Sequence, residues 1–195
     1  FGSGDALLHH SLVPEGPMPA WLPEIGLELR LPPGFEDFSW FGCGPFETYP
    51  DRHTGARVGV YTSRVSDEYV PYLVPQDHGN KTDVRWVSLV NGDGIGLFAS
   101  GEPLLNVSAR HLTTDNLSRA WYPFQLRPGK SVTLHLDHAV TGVGGTAIGV
   151  LDRYRVTPAA ASYTVRLRPY AAGEEDPTRL HRRRPLPGRV LSRPR

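Results

Sequence analysis

Residues 25–32, Ile-Gly-Leu-Glu-Leu-Arg-Leu-Pro, decide the fold. Ile25, Leu27, Leu29 and Leu31 alternate with Gly26, Glu28, Arg30 and Pro32. Successive side chains of an extended chain point to opposite sides, so this alternation reads as a strand with one buried and one wet face. The pattern recurs in Val132, Leu134 and Leu136 against Thr133, His135 and Asp137, and again in Tyr163, Val165 and Leu167 against Thr164, Arg166 and Arg168. Asn91-Gly-Asp-Gly94 interrupts two apolar runs between Val84 and Ser100, and Asn-Gly at such a point signals a hairpin because its turn needs residues that accept positive φ. Further strands are expected over residues 7–13, 35–41, 58–65 and 104–111. The only helix expected is a short connector over residues 114–120, capped by Thr113 or Thr114 with Leu117 turned inward. The fold class that follows is all-β, with antiparallel pairing into a large sandwich.

Composition agrees with this reading. A chain of 195 residues that is 39% hydrophobic can build one sandwich core, and 19 Pro with 21 Gly suit frequent turns rather than a helical bundle. Cys43 is the sole cysteine, so no intrachain disulfide forms and no oxidising compartment is needed. No charged-then-apolar leader opens the sequence, and no apolar run approaches the roughly 20 residues that span a bilayer. The expectation is a cytoplasmic protein without a membrane partner. Net charge is +1, yet residues 179–195 carry seven Arg and no acid, leaving 14 basic against 20 acidic residues before them, a balance of −6. Positive charge gathered in a Pro/Arg-rich tail is not the basic face that nucleic-acid recognition requires, so no nucleic acid is expected as a partner. The sequence divides into an N-terminal strand or linker segment (1–13), a sandwich domain (14–170) and a tail (171–195). The tail lacks periodicity and mixes charge blocks with Pro and Gly, and it is expected to be disordered.

Candidate chemistry is sparse. The eight His form no metal signature: His9 and His10 are adjacent, and His135 and His138 fall on opposite faces of one strand. No Gly-x-Ser-x-Gly elbow is present. Glu47 and Asp51 lie with Tyr49 and Arg52 in Gly44–Arg52 (GPFETYPDR), which reads as a connection whose path Pro45 and Pro50 set, with Asp51 accepting hydrogen bonds or pairing with an Arg. Trp40 and Trp86 sit in apolar strands and are read as packing, whereas Trp121 lies in the turn segment AWYPF, where it either packs or faces solvent and can then stack on a sugar. The candidate substrate-binding residues are Glu47, Asp77, His78 and Trp121. No catalytic residue and no metal ligand is assigned.

Three strings then follow one another in a telling order: PEIGLELRLPPGFEDFSWFGCGPFETYPDR, YVPYLVPQDHGNKTDVRWVSL and LHLDHAVTGVGG. Together they resemble the C-terminal (small-chain, domain 5) β-sandwich domain of glycoside hydrolase family 2 β-galactosidases, and the resemblance covers residues 14–170. It implies a supersandwich related in fold to galactose mutarotases and packed against a (β/α)₈ barrel in the same enzyme. It places both catalytic glutamates, together with Mg and Na, on that barrel, which typically needs about 250 residues and finds no counterpart in this chain. The implied partners are the barrel and other domains of the parent enzyme, a galactoside at the domain interface, and further copies of the whole enzyme as a homo-oligomer. In the family a Gly-Gly-Asp-x-Ser-Trp loop carries a stacking tryptophan. Here Gly144 and Gly145 lead through Thr146, Ala147 and Ile148 to Gly149, so the loop is shorter and lacks the aromatic. The alternative is a freestanding carbohydrate-binding or aldose 1-epimerase-like protein that pairs a His with Glu47 or Asp77 as acid and base.

Overall fold

The computed structural model describes residues 3–144 and 149–183. In chain order the regular elements are β1 (Ala6–Leu12), β2 (Glu24–Leu31), β3 (Phe35–Gly44), β4 (Arg57–Arg64), β5 (Lys81–Val84), β6 (Trp86–Asn91), β7 (Ile95–Glu102), β8 (Leu105–Arg110), α1 (Thr114–Arg119), β9 (Val132–Val140), β10 (Ala161–Ala171) and α2 (Pro177–Arg182). The strands pair antiparallel throughout, in a six-stranded sheet β1-β10-β7-β6-β3-β4 and a four-stranded sheet β2-β9-β8-β5. This is the expected all-β sandwich. Among the described residues no helix is long and apolar enough to cross a membrane.

The alternating residues build the core. Leu27, Leu29 and Leu31 on β2 stand opposite Leu136, Leu134 and Val132 on β9, and this apolar row meets Phe38, Trp40, Val87, Leu89 and Val165 of the larger sheet. A bulge breaks the β2–β9 register between Ile25 and Gly26. Gly26 is required there: a Cβ at this position would lie 1.9 Å from Oδ1 of Asp137 and 2.6 Å from its Cα. The Asn91–Gly94 turn joins β6 to β7 as expected, although only Gly94 has positive φ. The Asn91 side chain completes the turn by accepting from the backbone N–H groups of Asp93 and Ile95. Helix α1 matches its expectation, with Thr113 accepting from the Asn116 N–H and Leu117 buried.

Three expectations change. β5 was not anticipated, because Lys-Thr-Asp-Val has no apolar alternation. Thr133, His135 and Asp137 on β9 read as a wet face, yet all three are buried. Connections roof that face: Thr114 of α1 reaches His135 and Glu28, and Asp77 of the long β4–β5 connection reaches Arg110. The disordered tail is corrected for residues 171–183, which form a turn and helix α2, with Asp176 capping, Pro177 in the first turn and Leu180 buried against Trp86, Phe98 and Tyr170. Residues 184–195 lie outside the described residues. Segment 1–13 contributes β1, an edge strand of the six-stranded sheet.

Candidate functional site

The polar strings between strands fold into a hydrogen-bond network. Glu47 accepts from the Gly79 N–H at 2.9 Å, from Arg52 Nη1 at 3.0 Å and from the Tyr72 hydroxyl. Burial and the Glu47 carboxylate push the Tyr72 phenol up to about 12. Thr48 and Asn80 hold each other through the Thr48 N–H to the Asn80 carbonyl (2.7 Å) and the Asn80 amide to the Thr48 carbonyl (2.8 Å). Tyr49 donates to Asp77 Oδ2 at 2.7 Å, and Arg110 pairs with Oδ1 of the same carboxylate. Burial works to raise Asp77, but Arg110 and the Tyr49 hydroxyl outweigh it and hold the carboxyl below its usual range. Tyr49 is driven well above its ordinary value by burial and by Asp77.

Asp51 has the role read for it, as a hydrogen-bond acceptor. Its carboxylate takes the backbone N–H groups of Val143 (3.1 Å) and Gly144 (2.7 Å), and Arg52 Nη2 donates to the Gly144 carbonyl at 3.4 Å. The Asp51-Arg52 pair thus fixes the chain where it leaves β9. Gly142 allows this close approach, since a Cβ there would lie 2.4 Å from Cγ of Asp51. The next residues, Gly145 to Ile148, where the sequence departs from the family loop, lie outside the described residues.

A cleft of about 450 Å³ opens beside this turn, lined among others by Trp21, Glu24, Asp77, Arg110, Trp121 and Val143. Two of the four sequence candidates, Asp77 and Trp121, meet here. Asp77 is committed to Arg110 and Tyr49, while the Trp121 side chain is 73% exposed and so offers a free ring face. Glu47 lies off this cleft inside the network. His78 lines a second cleft of about 400 Å³ with Tyr69 and Leu126. Its Nδ1 is 3.0 Å from the Gln76 carbonyl and therefore carries the proton, and burial lowers the ring below its ordinary value. His78 hydrogen-bonds to Gln76, Glu47 to Gly79, Arg52 and Tyr72, and Asp77 to Tyr49 and Arg110.

Glu24, His135 and Asp137 escaped sequence reasoning as a group. His135 Nδ1 lies 3.3 Å from Glu24 Oε1 and 3.9 Å from Asp137 Oδ2, with Glu28 Oε2 3.5 Å from its Nε2. Burial raises the Asp137 carboxyl well above its ordinary value, and the neighbouring Glu24 and Asp77 reinforce the effect. The alternation of β9 put His135 and Asp137 on one face, but nothing local in the sequence joined them to Glu24 on β2.

Comparison with known proteins gives a consistent result. A family profile described as the β-galactosidase small chain matches residues 2–167. A β-galactosidase of Priestia megaterium is 35% identical over 145 residues, covering 74% of this chain and 14% of that protein. One from an Arthrobacter species is 32% identical over 174 residues, covering 85% of this chain and 17% of its own length, and one from Kluyveromyces lactis is 34% identical over 143 residues, covering 71% and 14%. The chain therefore spans about 14% of the length of the first of these relatives.

Proposed function

The chain belongs to the β-galactosidase small-chain family, and from that premise we propose that it serves as a noncatalytic β-sandwich module of a β-galactosidase. The enzyme it completes removes terminal β-galactose residues, lactose among them, by a retaining double displacement. Its two catalytic glutamates and its Mg²⁺ and Na⁺ ions belong to a barrel outside these 195 residues, and the whole enzyme is a cytoplasmic homo-oligomer. The observation that carries the reading is the match over residues 2–167 to proteins of which the chain spans only about 14%. The cleft supports it. A retaining glycosidase needs two carboxyl groups about 5–5.5 Å apart on either side of a sugar. Glu47 and Asp77 are each tied into the hydrogen-bond network, and Asp137 is 3% exposed and packed against Gly26.

The test is a chimera. Exchanging the matching 145 residues of the Priestia megaterium enzyme for this chain is expected to preserve hydrolysis of a chromogenic β-galactoside, whereas deleting them abolishes it. The isolated chain is expected to show no turnover. Hydrolysis that stays with the isolated chain through successive purification steps would overturn the proposal, as would a deletion variant as active as the intact enzyme.

Trp121 is the residue by which the module touches sugar. It stands in a segment where Tyr122 and Phe124 are also exposed, and exposed aromatics grouped in this way mark a surface meant to be covered. Because Trp121 is 73% exposed, Trp121→Ala is expected to leave the melting temperature of the chain unchanged. In the chimera the same change should weaken acceptor-sugar binding up to about tenfold, read as a lower ratio of galactosyl transfer to hydrolysis on lactose. An unchanged ratio together with unchanged acceptor affinity removes Trp121 from the site.

A further inference from the structure

We propose that Glu24, His135 and Asp137 form a binding site for a divalent first-row transition-metal ion, with Zn²⁺ the best match, behind the cleft that Glu24 lines. The site is a property of this chain and stands apart from its role in a β-galactosidase. Strand geometry assembles it. His135 and Asp137, two apart on β9, point to the same face, and the β2–β9 bulge at Gly26 sets Glu24 beside them. One donor atom from each residue lies within 4.8 Å of the other two. Tetrahedral zinc ligands at about 2.0–2.2 Å from the ion stand about 3.4 Å from one another. Glu24 Oε1 is already 3.3 Å from His135 Nδ1, and Asp137 Oδ2, at 3.9 Å, needs only a small inward shift.

Two further observations point to a ligand. The first is Asp137, which is 3% exposed, accepts no hydrogen bond among the described residues and faces the imidazole at 3.9 Å. A buried carboxylate without a donor is costly, and its charged surroundings make it more so. The imidazole beside it also faces Glu24 and Glu28, so three carboxylates lie within 3.9 Å of one ring. A divalent ion would supply the missing positive charge.

The second is the far side of the imidazole. Thr114 donates its hydroxyl proton to Glu28 at 2.9 Å, so its oxygen accepts from His135 Nε2 at 3.3 Å. In the metal-bound form the ring proton sits on Nε2, and Nδ1, which faces both carboxylates, is the ligating atom. A ligating histidine is held in this way, its outer N–H fixed by a hydrogen-bonded neighbour backed by a carboxylate. Glu24 is 30% exposed and lines the cleft, which gives an ion its entry and leaves a fourth position for water or a ligand group. One imidazole with two carboxylates suits Zn²⁺ or Mn²⁺, whereas Mg²⁺ prefers oxygen donors alone.

The experiment titrates the metal-stripped 195-residue chain with ZnCl₂ by calorimetry, and with CoCl₂ while recording visible absorption. One equivalent of Zn²⁺ is expected to bind and to raise the melting temperature, and Co²⁺ is expected to give the intense bands of a four-coordinate site. MgCl₂ should bind far more weakly. Loss of an outer-sphere partner alone commonly costs 10–100-fold in metal affinity, so Glu24→Gln, a partly exposed and isosteric change, should weaken Zn²⁺ binding by at least about a hundredfold. Asp137→Asn should act in the same direction, and if it fails to fold, Glu24→Gln still decides. His9→Ala should leave binding intact. Absence of saturable Zn²⁺ binding overturns the proposal. So does binding that Glu24→Gln leaves within a few-fold of wild type, which would move the ion to another histidine.

Discussion

Glu68→Ala is expected to lower the thermal unfolding midpoint by about 6–20 °C, the equivalent of roughly 3–5 kcal/mol in a chain of this size. Glu68 pairs with Lys81 at 2.6 Å, and the two side chains are only 6% and 1% exposed. The ammonium also lies 4.6 Å from the Trp40 ring centroid and 3.3 Å from the Pro45 carbonyl oxygen. Removing the carboxylate strands a positive charge in the interior without its counter-ion at 2.6 Å. The dependence on pH identifies the cause. Burial holds Lys81 below its ordinary value near 10.5 while Glu68 pulls it back up. The unfolded chain therefore binds this proton more tightly than the folded one, and stability rises with pH across the gap between the depressed folded value and 10.5. Glu68→Ala widens that gap, so its deficit should shrink between about pH 7 and about pH 10 as Lys81 becomes neutral. A deficit of constant size over that range would mean that the stranded charge is not its source. The double variant Glu68→Leu with Lys81→Met should recover most of the loss, because apolar groups of similar volume replace both charges.

The same pair explains why part of the fold was hidden in the sequence. Alternation exposed β2, β9 and β10, where the apolar residues carry the core, and the Asn91-Gly92 signal placed the β6–β7 hairpin. β5 has no such signature, because Lys81 is buried for the sake of a carboxylate on a different segment, and local patterning cannot register that exchange. Alternation also states which side chains point away from the core without saying whether anything covers them. Thr133, His135 and Asp137 looked wet on that basis, and only the roof of α1 and the 69–80 connection buries them. The candidate site was legible to the same extent. Asp77 and Trp121, singled out by residue type, line one cleft, whereas Glu47 lies outside it with its carboxylate hydrogen-bonded to Gly79, Arg52 and Tyr72. Glu24 was missed because its relation to His135 exists only through the β2–β9 register.

Leu180→Ala is expected to cost about 2–5 kcal/mol, or roughly 4–20 °C in the unfolding midpoint. The sequence argued against any such effect, since Pro177–Arg182 contains a single large apolar residue in six and no amphipathic period can be read from so short a run. The structure places that one residue with care. Leu180 is 1% exposed and closes a second apolar cluster over Trp86, Phe98 and Tyr170. The backbone around it is engaged as well: Arg166 Nη1 donates to the carbonyls of Leu180 (2.9 Å) and Arg183 (2.8 Å), while its Nε holds Asp5 Oδ1 at 2.6 Å. Helix α2 thus joins β10 to the residues just ahead of β1, and truncating Leu180 opens a cavity over a tryptophan and a phenylalanine at that junction. Asp176→Ala, which removes only the cap on the Arg179 N–H, should cost about 1 kcal/mol and leave the cluster closed. Trypsin reports the same event kinetically. Arg179 and Arg182 should resist cleavage while the helix is docked and become susceptible in Leu180→Ala, because cutting requires the helix to leave the sheet. Equal rates of cleavage in the two proteins, with equal midpoints, would return residues 177–182 to the disordered state that their composition suggested.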